Sequence, residues 1–430
     1  MSTAVLSIII IGVAIVSFML EKIPLALTAM LASLAMGVFH IMPYSNIYDG
    51  FGSSVVMMVA GMMIIGDCLF ETGLAEIVGA KIVNGPFAKN ERLLLFIMMV
   101  VACFASAFLS NSATVATFIP LIASIVYKSN GRLNNRFLLM GVGFAAAIGG
   151  AGTMVGSTAQ LVAQSILVKT AGCRPLGFFE FTPIVAILCV VLCLYMCTIG
   201  YNIQKKVFDF ADVSPVVIKE VAEGEAPKKL DFKMIVSGAV ILLCILGFIF
   251  NVWNVGVIAL VGASVCLACG CKNLKKALRD LDWNTLVILG AAQGFATGLD
   301  VSGGGKIIAN FVVNIFGGVD ASVYAIVIAG VVISTVLTNF MSNTAVLAMM
   351  TPIFINIGFQ LHVHPEVLVI GLIIGGSNAL ATPIGTPCVT QTLVGGYRYK
   401  DYVYVGLPIT IILTVLTCIL LPLMYGFTPL

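Results

Sequence analysis

Two polar tripeptides interrupt long apolar stretches of this 430-residue chain, Ser110-Asn111-Ser112 and Ser342-Asn343-Thr344. Each is followed by Ala, an apolar run and a Pro (Pro120, Pro352). Each is then answered by a Gly/Thr-rich break, Gly149-Gly150-Ala151-Gly152-Thr153 and Ala381-Thr382-Pro383-Ile384-Gly385-Thr386-Pro387. Hydroxyl and amide oxygens, with the free carbonyls of helix ends, are hard donors for a small cation such as sodium. Amide and free backbone N–H groups suit a carboxylate or another oxyanion. Such groups at bilayer depth cost free energy unless something uses them, so two copies point to a binding site built from two halves. Helix capping is the plainer use of Ser and Asn, and Ser106 and Thr338, one turn before the tips, could simply bond back to their own helices. Pairing of both tips with both breaks favours binding. No Lys or Arg lies near either tip, so an anion held there needs bound cations to balance its charge. Binding of the two would then be mutually dependent.

Composition sets the environment. With 60% hydrophobic and 10% charged residues and a mean hydropathy of +1.11, the chain has too few charges to cover a water-soluble globule. The lipid bilayer is its expected partner. The net charge of +3 comes from loop lysines and arginines, and no nucleic-acid partner is implied. The apolar stretch from Met1 to Leu20 lacks a basic leader and a cleavage motif, so a retained first helix is expected. Most of the twelve cysteines sit in apolar runs as small hydrophobes. Cys269-Gly-Cys271 and His362-Val-His364 are too isolated for a metal site, and no organic cofactor is expected.

Segments of spanning length bounded by charge, Pro and Gly predict an all-α polytopic membrane protein. The expectation is about 11 transmembrane helices plus two re-entrant hairpins. It comprises an N-terminal helix (1–23), a first repeat (24–204), a polar loop (205–233) and a second repeat (234–430). The hairpins fall at 93–127 and 322–360 and the broken helices at 137–170 and 365–395. A further short helix is expected at 74–84. Landmarks recur at nearly one offset: Asn343 minus Asn111 is 232, Thr382 minus Thr153 is 229, and Gly303 minus Gly73 is 230. With the N-terminus inside, Lys22, Lys169, Arg174 and Lys306 fall outside, and the other eighteen of the 22 Lys and Arg fall inside. That bias gives a cytoplasmic N-terminus in a plasma (inner) membrane and makes the repeats inverted, with the site between them near the midplane.

The doubled Ser-Asn-(Ser/Thr)-Ala, with Thr382-Pro-Ile-Gly-Thr-Pro387 and Gly149-Gly-Ala-Gly-Thr153, resembles the divalent anion:sodium symporter family of the ion transporter superfamily, over essentially the whole chain. The resemblance implies a homodimer of elevator type that carries di- or tricarboxylates with sodium. By motif, it implies a first sodium site at Ser106, Ser110, Asn111 and the backbone of Gly152. A second would use Thr338, Asn343 and the backbones of Met341 and Ala381. Substrate would meet Asn111, Ser112 and Thr153 from one half and Asn343, Thr344 and Pro383 from the other. The chain departs from the family pattern where Ser112 replaces Thr. Ala159-Gln160 and Cys388-Val389 also stand where Pro-Asn is common.

Asp67, Glu71, Glu76 and Asp300 lie in or at the ends of apolar segments and are candidates for proton transfer. For the last three, helix ends near water are the simpler explanation. Sodium-coupled uptake of a small dianion is the leading expectation, with an anion exchanger, a proton-coupled antiporter or an oxyanion exporter as the alternative. An intramembrane enzyme is disfavoured, because no His/Glu pair, Ser/Lys dyad or ligand cluster lies in the apolar segments. A channel fits broken repeats less well than alternating access.

Overall fold

The computed structural model describes residues 2–20, 22–73, 90–129, 132–210, 231–250, 252–315 and 322–427. Every regular element among them is helical. The first half contains α1 (Thr3–Leu20), α2 (Leu25–Val38), the single turn α3 (Ser45–Tyr48), α4 (Ser54–Thr72), α5 (Glu91–Phe108), α6 (Asn111–Lys128), α7 (Asn135–Gly150), α8 (Thr158–Lys169) and α9 (Thr182–Tyr195), which runs through a π turn into α10 (Tyr201–Val207). The second contains α11 (Phe232–Ile249), α12 (Val255–Ala268), α13 (Leu274–Asp280), α14 (Trp283–Val301), α15 (Gly304–Ile315), α16 (Val323–Thr338), α17 (Asn343–Gln360), α18 (Pro365–Gly376), α19 (Pro387–Gln391) and α20 (Tyr399–Tyr425).

Helices occupy the apolar stretches among the described residues, with ends a few residues from those read in the sequence. The short α3 and α13 were not anticipated, because a polar or amphipathic turn leaves little hydropathy signal. The helix expected at 74–84, with Glu76, and residues 211–230 of the polar loop lie outside the described residues. Five described helical stretches are long and apolar enough to cross a bilayer alone, or six if α14 and α15, bent by 76°, form one span. Others, α2, α12 and α16 among them, are 14 to 16 residues long, short of the ~20 that a straight crossing needs.

Burial follows sequence period. Along α5, Leu94, Leu95, Met98, Met99, Ala102 and Ser106 turn inward while Phe96, Val100 and Phe104 stay on the apolar exterior. Beyond their first turns, helices α7 and α18 are apolar all round and buried along their length. They form the core, and each ends in one of the glycine-rich breaks.

Two helix pairs build a second unit: α2 packs on α14, and α4 packs on α12. In sequence, α12 lies 230 positions after α2 (Leu25 to Val255, Val38 to Ala268), and α14 begins 229 positions after α4 (Ser54 to Trp283). Each of the first two helices therefore packs against the one that lies at this offset from the other. Small residues permit the close approach: a Cβ on Gly61 would lie 2.6 Å from the Ala259 carbonyl carbon.

Gly61→Ala is therefore expected to destabilise the protein by about 1–3 kcal/mol through overpacking. Gly12→Ala, with nothing within 4 Å, should be neutral or gain up to about 1 kcal/mol of helix propensity. Thermal unfolding of the two variants in one detergent checks this ordering.

Candidate substrate and cation site

At the two tips, serine and asparagine divide the work. Ser110 Oγ accepts a hydrogen bond from Ala113 N at 3.2 Å, and Ser342 Oγ accepts one from Ala345 N at 3.2 Å, so both serines cap the helices that follow. The asparagines instead face the preceding helix. Ser106 Oγ lies 2.7 Å from Asn111 Oδ1 and 2.8 Å from the Ala146 carbonyl. Thr338 Oγ1 lies 2.5 Å from Asn343 Oδ1 and 2.7 Å from the Gly376 carbonyl. Ser106 and Thr338 are thus not ordinary back-bonding hydroxyls. Each joins its tip to the buried helix, α7 or α18, that ends in a break.

Both hydroxyls are fully buried. A hydroxyl carries one proton, yet each here has two acceptors within reach. Each cluster therefore holds more lone pairs than donated protons. Thr386 Oγ1 adds a further bond to Asn343 Oδ1 at 3.1 Å. A surplus of neutral oxygen acceptors, with no carboxylate in the set, is the donor chemistry of a weakly held hard monovalent cation.

The breaks are fastened to the tips by threonines. Thr153 Oγ1 donates to the Ala107 carbonyl, and Thr382 Oγ1 donates to the Asn339 carbonyl. Glycine makes the approach possible: a Cβ at Gly150 would sit 1.9 Å from Asn111 Oδ1, and one at Gly385 would sit 1.8 Å from the Thr338 carbonyl oxygen.

Both tripeptides line one cavity of about 500 Å³. Ser110, Asn111 and Ser112 meet there with Gly156, Ser157 and Thr158 of the first break. Ser342, Asn343 and Thr344 meet there with Gly385, Thr386 and Pro387 of the second. Across the middle, Thr158 Oγ1 is 3.0 Å from Thr344 Oγ1. The opposite wall comes from α4, α13 and α14, including Asp67, Asp280, Asp282 and Thr285. No Lys or Arg is among the described lining residues.

Other expected site residues lie outside this cavity. Ser106, Thr338 and Met341 are buried beneath the tips. Gly152 and Thr153 line an apolar groove of about 470 Å³, and Ala381 and Thr382 line a comparable groove of about 490 Å³. Pro383 is buried outside both, its carbonyl accepting from Thr390 Oγ1. Thr158, Ser157 and Thr386 were missed by sequence reasoning. Ser157 and Thr386 carried a signal, since they directly follow the glycines Gly156 and Gly385 that the two breaks share.

The acidic residues have partners. Lys272, with a side chain only 5% exposed, lies 2.8 Å from Asp67 Oδ2 and 3.1 Å from Asp280 Oδ2. Glu71 pairs with Lys276 at 2.9 Å. Asp282 caps α14 through Thr285. Burial alone would lower the Lys272 ammonium, yet Asp67 and Asp280 raise it above the usual lysine value. Lys272 and Arg279 in turn hold the Asp280 carboxyl below its usual range. Asp300 sits in the last turn of α14, beside the left-handed Gly303.

A model of the citrate transporter family (CitMHS) matches residues 15–375, well over half of the chain. The chain belongs to the citrate transporter family. It is an integral membrane transporter and not an enzyme. Among relatives, an uncharacterized transporter of Methanocaldococcus jannaschii is 26% identical over 340 residues, covering 79% of this chain and 75% of the relative. The sodium-dependent dicarboxylate transporter SdcS of Staphylococcus saprophyticus is 24% identical over 400 residues, 85% of this chain and 75% of its own. The resemblance to divalent anion:sodium symporters drawn from the tip and break motifs therefore holds. The fold is similar to that of Neisseria gonorrhoeae MtrF, with a TM-score of 0.63 at 15% identity over 99% of this chain and 95% of that one. It is also similar to Alcanivorax borkumensis YdaH, with a TM-score of 0.61 at 14% identity over 89% and 87%.

Gly385→Ala must push the second break off its tip. A strain of about 1–3 kcal/mol corresponds to a loss of about five- to a hundredfold in transport. Gly52→Ala, with nothing within 4 Å, serves as the control. Uptake normalised to membrane-inserted protein measures both.

Proposed function

We propose that the chain is a sodium-coupled symporter of small divalent anions, di- or tricarboxylates, in which the hairpins and broken helices move as an elevator against the unit built from α2, α4, α12 and α14. The observation that carries this reading is the pair of acceptor-rich oxygen clusters, Ser106/Asn111/Ala146 and Thr338/Asn343/Gly376, behind a cavity without Lys or Arg. Sodium at each cluster would supply the missing positive charge, with Ser110 and the Gly152 backbone joining the first site and the Met341 and Ala381 backbones the second. Asn111, Ser112, Asn343 and Thr344 face the cavity and would hold the anion through amide and hydroxyl donors. Thr153 and Pro383 would act on substrate through the breaks they fix.

The exchange of partners between α2, α4 and their counterparts supports repeats of inverted topology. A homodimer in the inner membrane with a cytoplasmic N-terminus completes the proposal. An exchanger or proton-coupled antiporter remains the rival. The Asp67 ion pair with Lys272 gives that carboxylate a structural role and does not favour the rival.

Proteoliposome uptake of labelled succinate, fumarate, malate, citrate and sulfate, with and without a sodium gradient, tests the reading. Sodium-driven accumulation of at least one dianion is expected, whereas uptake driven only by trans anion or by a proton gradient rejects symport. Thr338→Val should raise the sodium concentration for half-maximal uptake about tenfold, the scale of one charge-assisted hydrogen bond. Asp67→Asn should keep sodium dependence. Its loss would restore the proton-coupled alternative.

A further inference from the structure

The two halves repeat each other closely at the tips but differ where the following helices begin. Thr344 of the second tip faces Thr158, the first residue of α8, with their hydroxyl oxygens 3.0 Å apart. The counterpart of Thr344 is Ser112, 232 positions earlier, and the counterpart of Thr158 is Pro387, 229 positions later and first in α19. All four residues line the same cavity. One pair therefore offers two hydroxyls, one prong from each half, while its counterpart in sequence offers a single hydroxyl and a proline ring that donates nothing.

Thr158 and Thr344 are both half-buried and open to the cavity. One of the two hydroxyls donates to the other, which leaves one O–H free to point inward. When a carboxylate arrives, the pair can separate and donate to its two oxygens, as a fork does. Helix α8 packs along α17, so this spacing is set by a helix–helix contact rather than by a loose loop. A fork of neutral donors needs no Lys or Arg, in keeping with the rest of the lining.

We propose that Thr158 is a substrate-binding residue that makes the site unsymmetrical: with Thr344 it grips one carboxylate of the anion, and the Ser112–Pro387 end holds the other group less tightly. This rests on the anion-carrier reading above. It assigns the stronger recognition to one end, so that end must meet a carboxylate while the other tolerates chemical variation.

The test uses the full-length protein in proteoliposomes, with labelled succinate as probe and sulfate and malate as competitors. Thr158→Val removes only the hydroxyl. Thr158→Pro copies Pro387 at a helix position where proline is accommodated. Thr158→Ser keeps the donor. Val and Pro variants should raise the succinate KM about ten- to a hundredfold, the value of a hydrogen bond to a charged group. Their maximal rate and half-saturating sodium should stay near wild type, and the Ser variant should restore the KM. Unchanged KM in the Val and Pro variants, with wild-type uptake intact, overturns this proposal alone. So does a loss confined to maximal rate, or one that Ser fails to rescue, since either marks a merely structural role. Absence of sodium-dependent uptake by the wild type of every one of the five anions named above refutes the carrier reading and this proposal with it.

Discussion

One contact organises the structure: at each tip a buried hydroxyl, Ser106 or Thr338, stands between an asparagine Oδ1 and the carbonyl of a buried helix. Inside a bilayer a buried oxygen left unserved costs about 1–3 kcal/mol, so the partners of these oxygens matter to stability. Several otherwise odd features follow. The last turn and a half of α7 and the end of α18 supply the carbonyls of Ala146 and Gly376 to these contacts. Glycine occupies positions 150 and 385 because any side chain there would strike the tip.

The second unit of the protein frames this chemistry without joining it. Its helices pack pairwise through small residues, and its face toward the cavity is acidic. Lys272 binds Asp67 on α4 to Asp280 on α13, tying together segments from the two halves of the chain. The carboxylates nearest the cavity are thereby committed to cations or to helix caps. No Lys or Arg stands beside them among the described lining residues, so the cavity itself offers an anion no fixed counter-charge.

Much of this was legible before any coordinates. The Ser-Asn tips and the glycine-rich breaks stand out because polar and helix-breaking residues are rare in apolar runs, and their landmarks share an offset near 230. What the sequence could not show is which oxygen faces which. Ser110 and Asn111 are neighbours, yet one caps a helix and the other completes the cluster. That depends on helix phase and on how deep α7 is buried. Thr153 was read as a substrate residue by its motif, while its hydroxyl bonds the Ala107 carbonyl behind the cavity. Thr158 and Lys272 escaped notice for a different reason: their partners, Thr344 and Asp67, lie about two hundred positions away in sequence.

If cations complete the site, then cation and anion must bind as linked ligands, each raising the affinity for the other by the same factor. Equilibrium titration of the purified protein with succinate or another transported dianion, at low and at saturating sodium with ionic strength held constant by choline, measures that linkage directly. The account predicts anion affinity that climbs steeply with sodium, and sodium affinity that climbs equally with the anion. Anion binding of the same strength in choline and in sodium would contradict it.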